Sequence, residues 1–291
     1  MAISIKKTNA AKLASYVYLL LVPIIASGLG FGVGHVSYKI YLPIWLLNTV
    51  LMSLASWTLG LHITQIKNSE ETELSKSAFF LIIPWILISM FAGLGPPPET
   101  AAEWTATATE QQVRYFMLVI SGVSIAFGFA GLRDRIKAEG EHFYSSLGLT
   151  AILIAIPLFI INMLYWGFYL TELFKIQTTA NSTGFPDWFS PIRQTLGLIS
   201  VVEVALTYFA TFLFVKAMRQ VGWINKTSGF FYTSFSLSAL TIVILSAFFT
   251  QTLKMPGFAL SIPAFPFLMP YIIGINLLRR VENINKKVNI E

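Results

Sequence analysis

Arg193–Lys216 reads RQTLGLISVVEVALTYFATFLFVK. Between its terminal cations the only charged residue is Glu203. About 20 mainly apolar residues cross the hydrocarbon of a bilayer as a helix, and this run is long enough. It therefore predicts a transmembrane helix with a carboxylate near its middle. A charge at that depth costs about 2.5–3.5 kcal/mol on insertion scales, so Glu203 must face protein, water or a ligand rather than lipid.

The rest of the chain shares this character. It has 291 residues, of which 55% are hydrophobic and 12% charged, with mean hydropathy +0.67. A soluble domain carries about 25% charged residues, so the deficit predicts a chain that lives mostly in lipid. The net charge of +6 would raise nucleic acid in a soluble protein. Here the cations cluster at span ends, where they orient a membrane protein, and no nucleic-acid partner is expected. The absence of cysteine excludes disulfides and Cys-ligated metal. His35, His62 and His142 form no i, i+3 or i+4 pair, so neither a metal site nor bis-His haem is indicated. The sequence specifies no cofactor.

Eight apolar spans are expected, at about 13–34, 41–64, 77–95, 113–132, 147–170, 194–217, 229–251 and 258–278. The first exceeds the apolar core of a secretory signal, so it is read as a retained helix. Fifteen basic residues fall on the N-terminal side of the resulting alternation and five on the other: Lys39, Arg114, Lys175, Arg193 and Lys254. That bias predicts cytoplasmic termini. Two longer loops, 96–112 and 171–192, are then outside, each with a Trp (Trp104, Trp188) suited to headgroup level. The second holds the glycosylation triplet Asn181-Ser182-Thr183.

The fold class is thus all-α, a polytopic membrane protein forming one transmembrane domain over 1–291. Four short resemblances fall in order between its halves: LLVPII with IAIPLF, YLPI with FSPI, SAFF with SGFF, and GLRDR with LLRR. They suggest a four-plus-four tandem repeat with halves 1–140 and 141–291.

Ser200, Glu203, Thr207 and Thr211 share one helix face, a small-hydroxyl stripe around the acid. Such a face suits a bundle interior or a wet cavity, with an ion or proton site or a counter-charge for a cationic ligand; the plainer alternative is a neutral acid hydrogen-bonded to a neighbouring helix. Under the repeat, Glu203 aligns with Ala55, which shares a face with Asn48 and His62. The expectation is that Asn48, His62 and Glu203 line one central cleft; the alternative for His62 is an interface-level histidine bonded to a backbone carbonyl or to water. Asn162, Tyr165, Tyr169 and Glu172 form a second polar stripe, either an access path or a buried Asn162 with interfacial anchors. Ser234, Ser238 and Thr241 read as helix-packing hydroxyls, and Gly28, Gly30, Gly32 and Gly34 as close-approach glycines. Pro263, Pro266 and Pro270 predict an interrupted last span. Glu70, Glu71, Glu73 and the run 133–141 read as solvated.

Three functional classes compete. A transporter or channel for a small solute or ion, with Glu203 in the pathway, fits the midplane acid, the repeat and the broken helix. A non-transporting membrane subunit that binds a quinone or lipid between helices, or anchors a peripheral partner, fits the short basic loops. An intramembrane enzyme fits least, because one acid and one histidine are its only candidates. The bilayer is the one partner the composition requires.

Overall fold

A computed structural model of the chain describes residues 2–65, 69–180 and 186–288. Lys67 and the triplet at Asn181 lie outside the described residues. Every regular element among the described residues is helical. Seven helices among the described residues are long and apolar enough to cross a bilayer, the mark of an integral membrane protein, and one further helix pair, Gln251–Ser261 with Ala264–Val281, passes the same test only when taken together across a bend. The chain divides into two compact units.

The first unit comprises 1–96, 127–135 and 270–291. It contains α1 (Ala2–Gly32), α2 (Tyr38–Leu59), a 3₁₀ turn (Leu61–Gln65), α3 (Ser69–Ile88) and α4 (Phe91–Leu94). Its core includes Leu19, Met52, Leu81, Ile82, Phe129 and Tyr271, all essentially sealed from solvent. Tyr271 donates to the Leu19 carbonyl at 2.7 Å and its ring lies 5.9 Å from that of Trp85. The sequence places the second span through residue 64, but α2 stops at Leu59. Gly60 follows because a Cβ there would strike the backbone carbonyl of Leu278. Of the four glycines ending α1, Gly30 abuts a neighbour, the Phe91 carbonyl, which would sit 3.1 Å from an added Cβ. Gly28 and Gly32 have open space where a Cβ would go; Gly34 has too, but its own backbone lies close against Gly95, where a Cβ would come within 3.1 Å of the Gly34 Cα, so close approach holds at Gly30 and Gly34.

The second unit comprises 97–126 and 136–269. Its elements are α5 (Ala101–Ala106), the first part of α6 (Ala108–Ala138), α7 (Phe143–Leu164), a π turn (Tyr165–Tyr169), α8 (Leu170–Thr179), α9 (Phe189–Gln220), α10 (Lys226–Phe248), α11 (Thr250–Ser261) and the start of α12 (Ala264–Val288). α9 is the hub, flanked by α7 and α10. Gly148 lets α7 close on α9, since a Cβ would come within 2.8 Å of the Phe214 ring. Val204, Tyr208, Ala239 and Val243 lock α9 to α10, and the Tyr208 hydroxyl donates to the Leu260 carbonyl at 2.9 Å.

Several differences from expectation fall in this unit. The loop 96–112 holds α5, started by a capping box of Thr100 and Glu103. Trp104 is not displayed at a surface: it is buried, stacks on Tyr115 and donates to Thr171 Oγ1 at 2.9 Å. The apolar fifth span does not stop near 170 but runs through the π turn to Thr179. Glu141 is not solvated: it is buried and accepts from the backbone N–H groups of Tyr144 and Ser145, at 2.7 and 3.0 Å, closing the first turn of α7. On α10, Ser238 and Thr241 are exposed, and the buried hydroxyls include those of Thr233 and Ser236.

The proline-rich last span is interrupted as expected. α11 ends at Ser261, Ile262 is extended (φ −61°, ψ 126°), and the two helical pieces are bent by 46°. The cause is local: a residue before proline is pushed out of the helical region. The unit boundaries do not follow the halves 1–140 and 141–291.

Candidate functional site

Polar side chains at the depth of apolar helices need partners, because hydrocarbon offers none. Glu203 lies within α9 and is 2% exposed. Across the α7–α9 contact stands Asn162, also 2% exposed. Its amide nitrogen donates to Glu203 Oε1 at 3.0 Å. The helices bring these two side chains together because α7 and α9 are in contact along their lengths. Small residues on the α7 face, Gly148, Ala151 and Ala155, are buried in unit 2.

The pair leaves two oxygens without a hydrogen-bond partner, Glu203 Oε2 and Asn162 Oδ1. Both are acceptors as long as the acid is ionised. No salt bridge to Glu203 is found among the described residues; ion pairs such as Arg133–Asp134, Arg135–Glu70 and Lys175–Glu172 involve other carboxylates. A buried unpaired acceptor costs about 1–3 kcal/mol, so a bonded pair that leaves one on each residue can take up a donor.

Directly after Asn162 the chain enters the π turn Tyr165–Tyr169. Single π turns inside α-helices often occur at functional sites, because the extra residue re-aims the side chains around it. Tyr165 is buried and its hydroxyl has no partner. Beyond it the stripe surfaces: Tyr169 is 43% exposed, and Glu172 is exposed and paired with Lys175 at 2.7 Å. The stripe thus combines a buried Asn162 and Tyr165 with an exposed outer end.

The other candidates are placed as follows. Thr207 and Thr211 are buried, but each hydroxyl donates back to the carbonyl four residues earlier, Thr207 to Glu203 and Thr211 to Thr207. Ser200 is half-buried on the same helix. Asn48 and His62 belong to the other unit. Asn48 is held on every side: its Oδ1 accepts from Tyr18 at 2.6 Å, and its amide donates to Ser89 Oγ at 2.9 Å and contacts Met52 Sδ at 3.4 Å. His62 sits in the 3₁₀ turn with Nδ1 2.8 Å from the Trp57 carbonyl, the backbone partner foreseen as its alternative.

Unit 1 holds a groove of about 440 Å³ lined by α1, α2 and the α4 region. Its lining is almost wholly apolar, with Val22, Leu29, Ile44 and Leu51 among the residues, and Tyr18, Asn48 and Ser89 at its polar edge. Those three bond to one another, so the groove presents hydrocarbon.

Sequence reasoning named both Glu203 and Asn162 but set them on separate stripes. The signal that joins them is that each is the central polar residue of consecutive apolar spans. It passed over Gln111 and Arg114, which are buried polar residues of α6. No group of three or more His, Cys, Asp or Glu side chains able to hold a metal occurs among the described residues. Comparison of this chain with protein-family models, curated proteins and solved structures gives no match.

Proposed function

We propose that this protein carries a small solute or ion across the bilayer and that Glu203 lies in the pathway. The observation that carries the reading is the buried acid on α9, bonded by Asn162 and left with an unpartnered oxygen. Intramembrane ionisable groups are costly and cluster on ion and proton routes. The adjacent π turn, the orphan Tyr165 hydroxyl and the break between α11 and α12 support it, since irregular helices at depth free polar groups for a ligand. The charge bias orients the pathway, with both termini cytoplasmic and the 96–112 and 171–192 segments outside. A four-plus-four repeat would give the pathway two related halves.

Proteoliposomes loaded with dyes for H⁺, Na⁺, K⁺ and Cl⁻ test this. Flux of one ion above protein-free vesicles, lost in Glu203→Gln, is expected. Flux that Glu203→Gln leaves unchanged contradicts the reading.

The groove in unit 1 favours a second reading, a membrane subunit that holds a quinone or lipid tail between helices. Its volume lies in the ~300–1,000 Å³ range of ligand pockets. Mass spectrometry of the purified protein tests this reading: a co-purifying lipid or quinone should be absent from Ala26→Phe, which fills the groove.

A further inference from the structure

We infer that the species bound at the Glu203–Asn162 pair is a single proton, carried on Glu203 Oε2 and directed at Asn162 Oδ1. The inference rests on the pathway reading above and gives it its ion. Three observations point there. First, the Asn162 amide nitrogen already donates to Glu203 Oε1 at 3.0 Å, which fixes the amide so that its oxygen is the free end. Second, the two unpartnered oxygens of the pair, Oε2 and Oδ1, are both acceptors while the acid is ionised, and one O–H supplies the donor that serves both. Third, the site is poor in ligands for any larger cation. Hard metal ions take about six oxygens. The pair has two unpartnered ones, and no group of three or more His, Cys, Asp or Glu side chains gathers there among the described residues.

No competing charge sits on the acid. The titratable side chains on the elements packed against α9 are Tyr144, Tyr165 and Tyr169 on α7 and its π turn, Lys226 and Tyr232 on α10, and Lys254 on α11. On α9 itself they are Arg193, Tyr208, Lys216 and Arg219. None of these forms a hydrogen bond or ion pair with the Glu203 carboxyl, whose one side-chain partner is Asn162. Tyr208 is committed to the Leu260 carbonyl. Tyr165, three residues beyond Asn162, is the nearest titratable group in sequence with an unpartnered hydroxyl.

Infrared difference spectroscopy on the full chain in lipid nanodiscs tests the assignment. At neutral pH the wild-type minus Glu203→Gln spectrum should show the C=O band of a protonated carboxyl. That band should move in ²H₂O, shift in Asn162→Leu, and ignore added Na⁺. Carboxylate bands in its place, or a band that responds to Na⁺, would overturn the proton while leaving the pathway open to another ion. A protonated band with no flux of any ion in vesicles would keep the proton and remove the pathway. Should Glu203→Gln not fold, a hydrophobic carbodiimide on wild type gives the same answer, because it modifies protonated carboxyls in apolar surroundings. An adduct on the Glu203 peptide is expected, and its absence would overturn the inference.

Discussion

Two asparagines, one in each unit, sit among apolar helices and have opposite surroundings. Asn48 in the first unit is saturated: Tyr18, Ser89 and Met52 meet both ends of its amide, tying α1, α2 and the end of α3 into one polar knot. Asn162 in the second unit has one bond, to an acid, and both residues keep an idle oxygen. An amide met at both ends is accounted for by helix association. An amide–acid pair with unmet capacity is not explained by association alone, since leaving acceptors bare is costly. The contrast separates polar residues that hold the fold from those with chemistry in reserve.

The contrast makes graded predictions about stability, read as thermal unfolding of each variant in nanodiscs. Hydrogen bonds between membrane helices average about 0.6 kcal/mol. Asn48→Ala breaks contacts to Tyr18 and Ser89, so it should cost the most, roughly 1–2 kcal/mol on that scale, and leave any flux intact. With Glu203 ionised, Asn162→Ala removes the single bond to Oε1 and should cost about 0.6 kcal/mol. An equal or reversed order would erase the distinction between the two amides. His62→Ala in the half-buried 3₁₀ turn should fall within about 0.5 kcal/mol of wild type, as surface changes do, with flux unchanged. A loss of flux in His62→Ala would restore the histidine as a pathway residue.

Much of the fold was legible because bilayer crossing demands long apolar runs, and those are visible one span at a time. Glu203 stood out for the same reason, as a lone charge in such a run. The broken last span was legible in Pro263, whose effect on Ile262 is local. What was not legible depends on a second segment. Only glycine fits just past the end of α2, at position 60, because the Leu278 carbonyl lies where a Cβ would go. Trp104 is buried because Tyr115 and Thr171 receive it, although its composition reads as a headgroup anchor. Glu141 looks like part of a solvated run until α7 presents its first N–H groups. The π turn has no signature in hydrophobic spacing, so the stripe from Asn162 to Glu172 was read with α-helical phase. For the site, each member of the pair was visible, but their contact was not, since periodicity assigns a residue to a face without saying which helix it meets.

The central claim is that Glu203 works rather than merely holds. Glu203→Gln tests it most directly, because glutamine keeps the shape and its amide can donate to Asn162 Oδ1. Ion flux across proteoliposomes, measured for wild type and Glu203→Gln at equal protein density, should fall to the protein-free level in the variant while its unfolding midpoint stays at or above that of wild type. Flux equal to wild type in a well-folded Glu203→Gln would contradict the account.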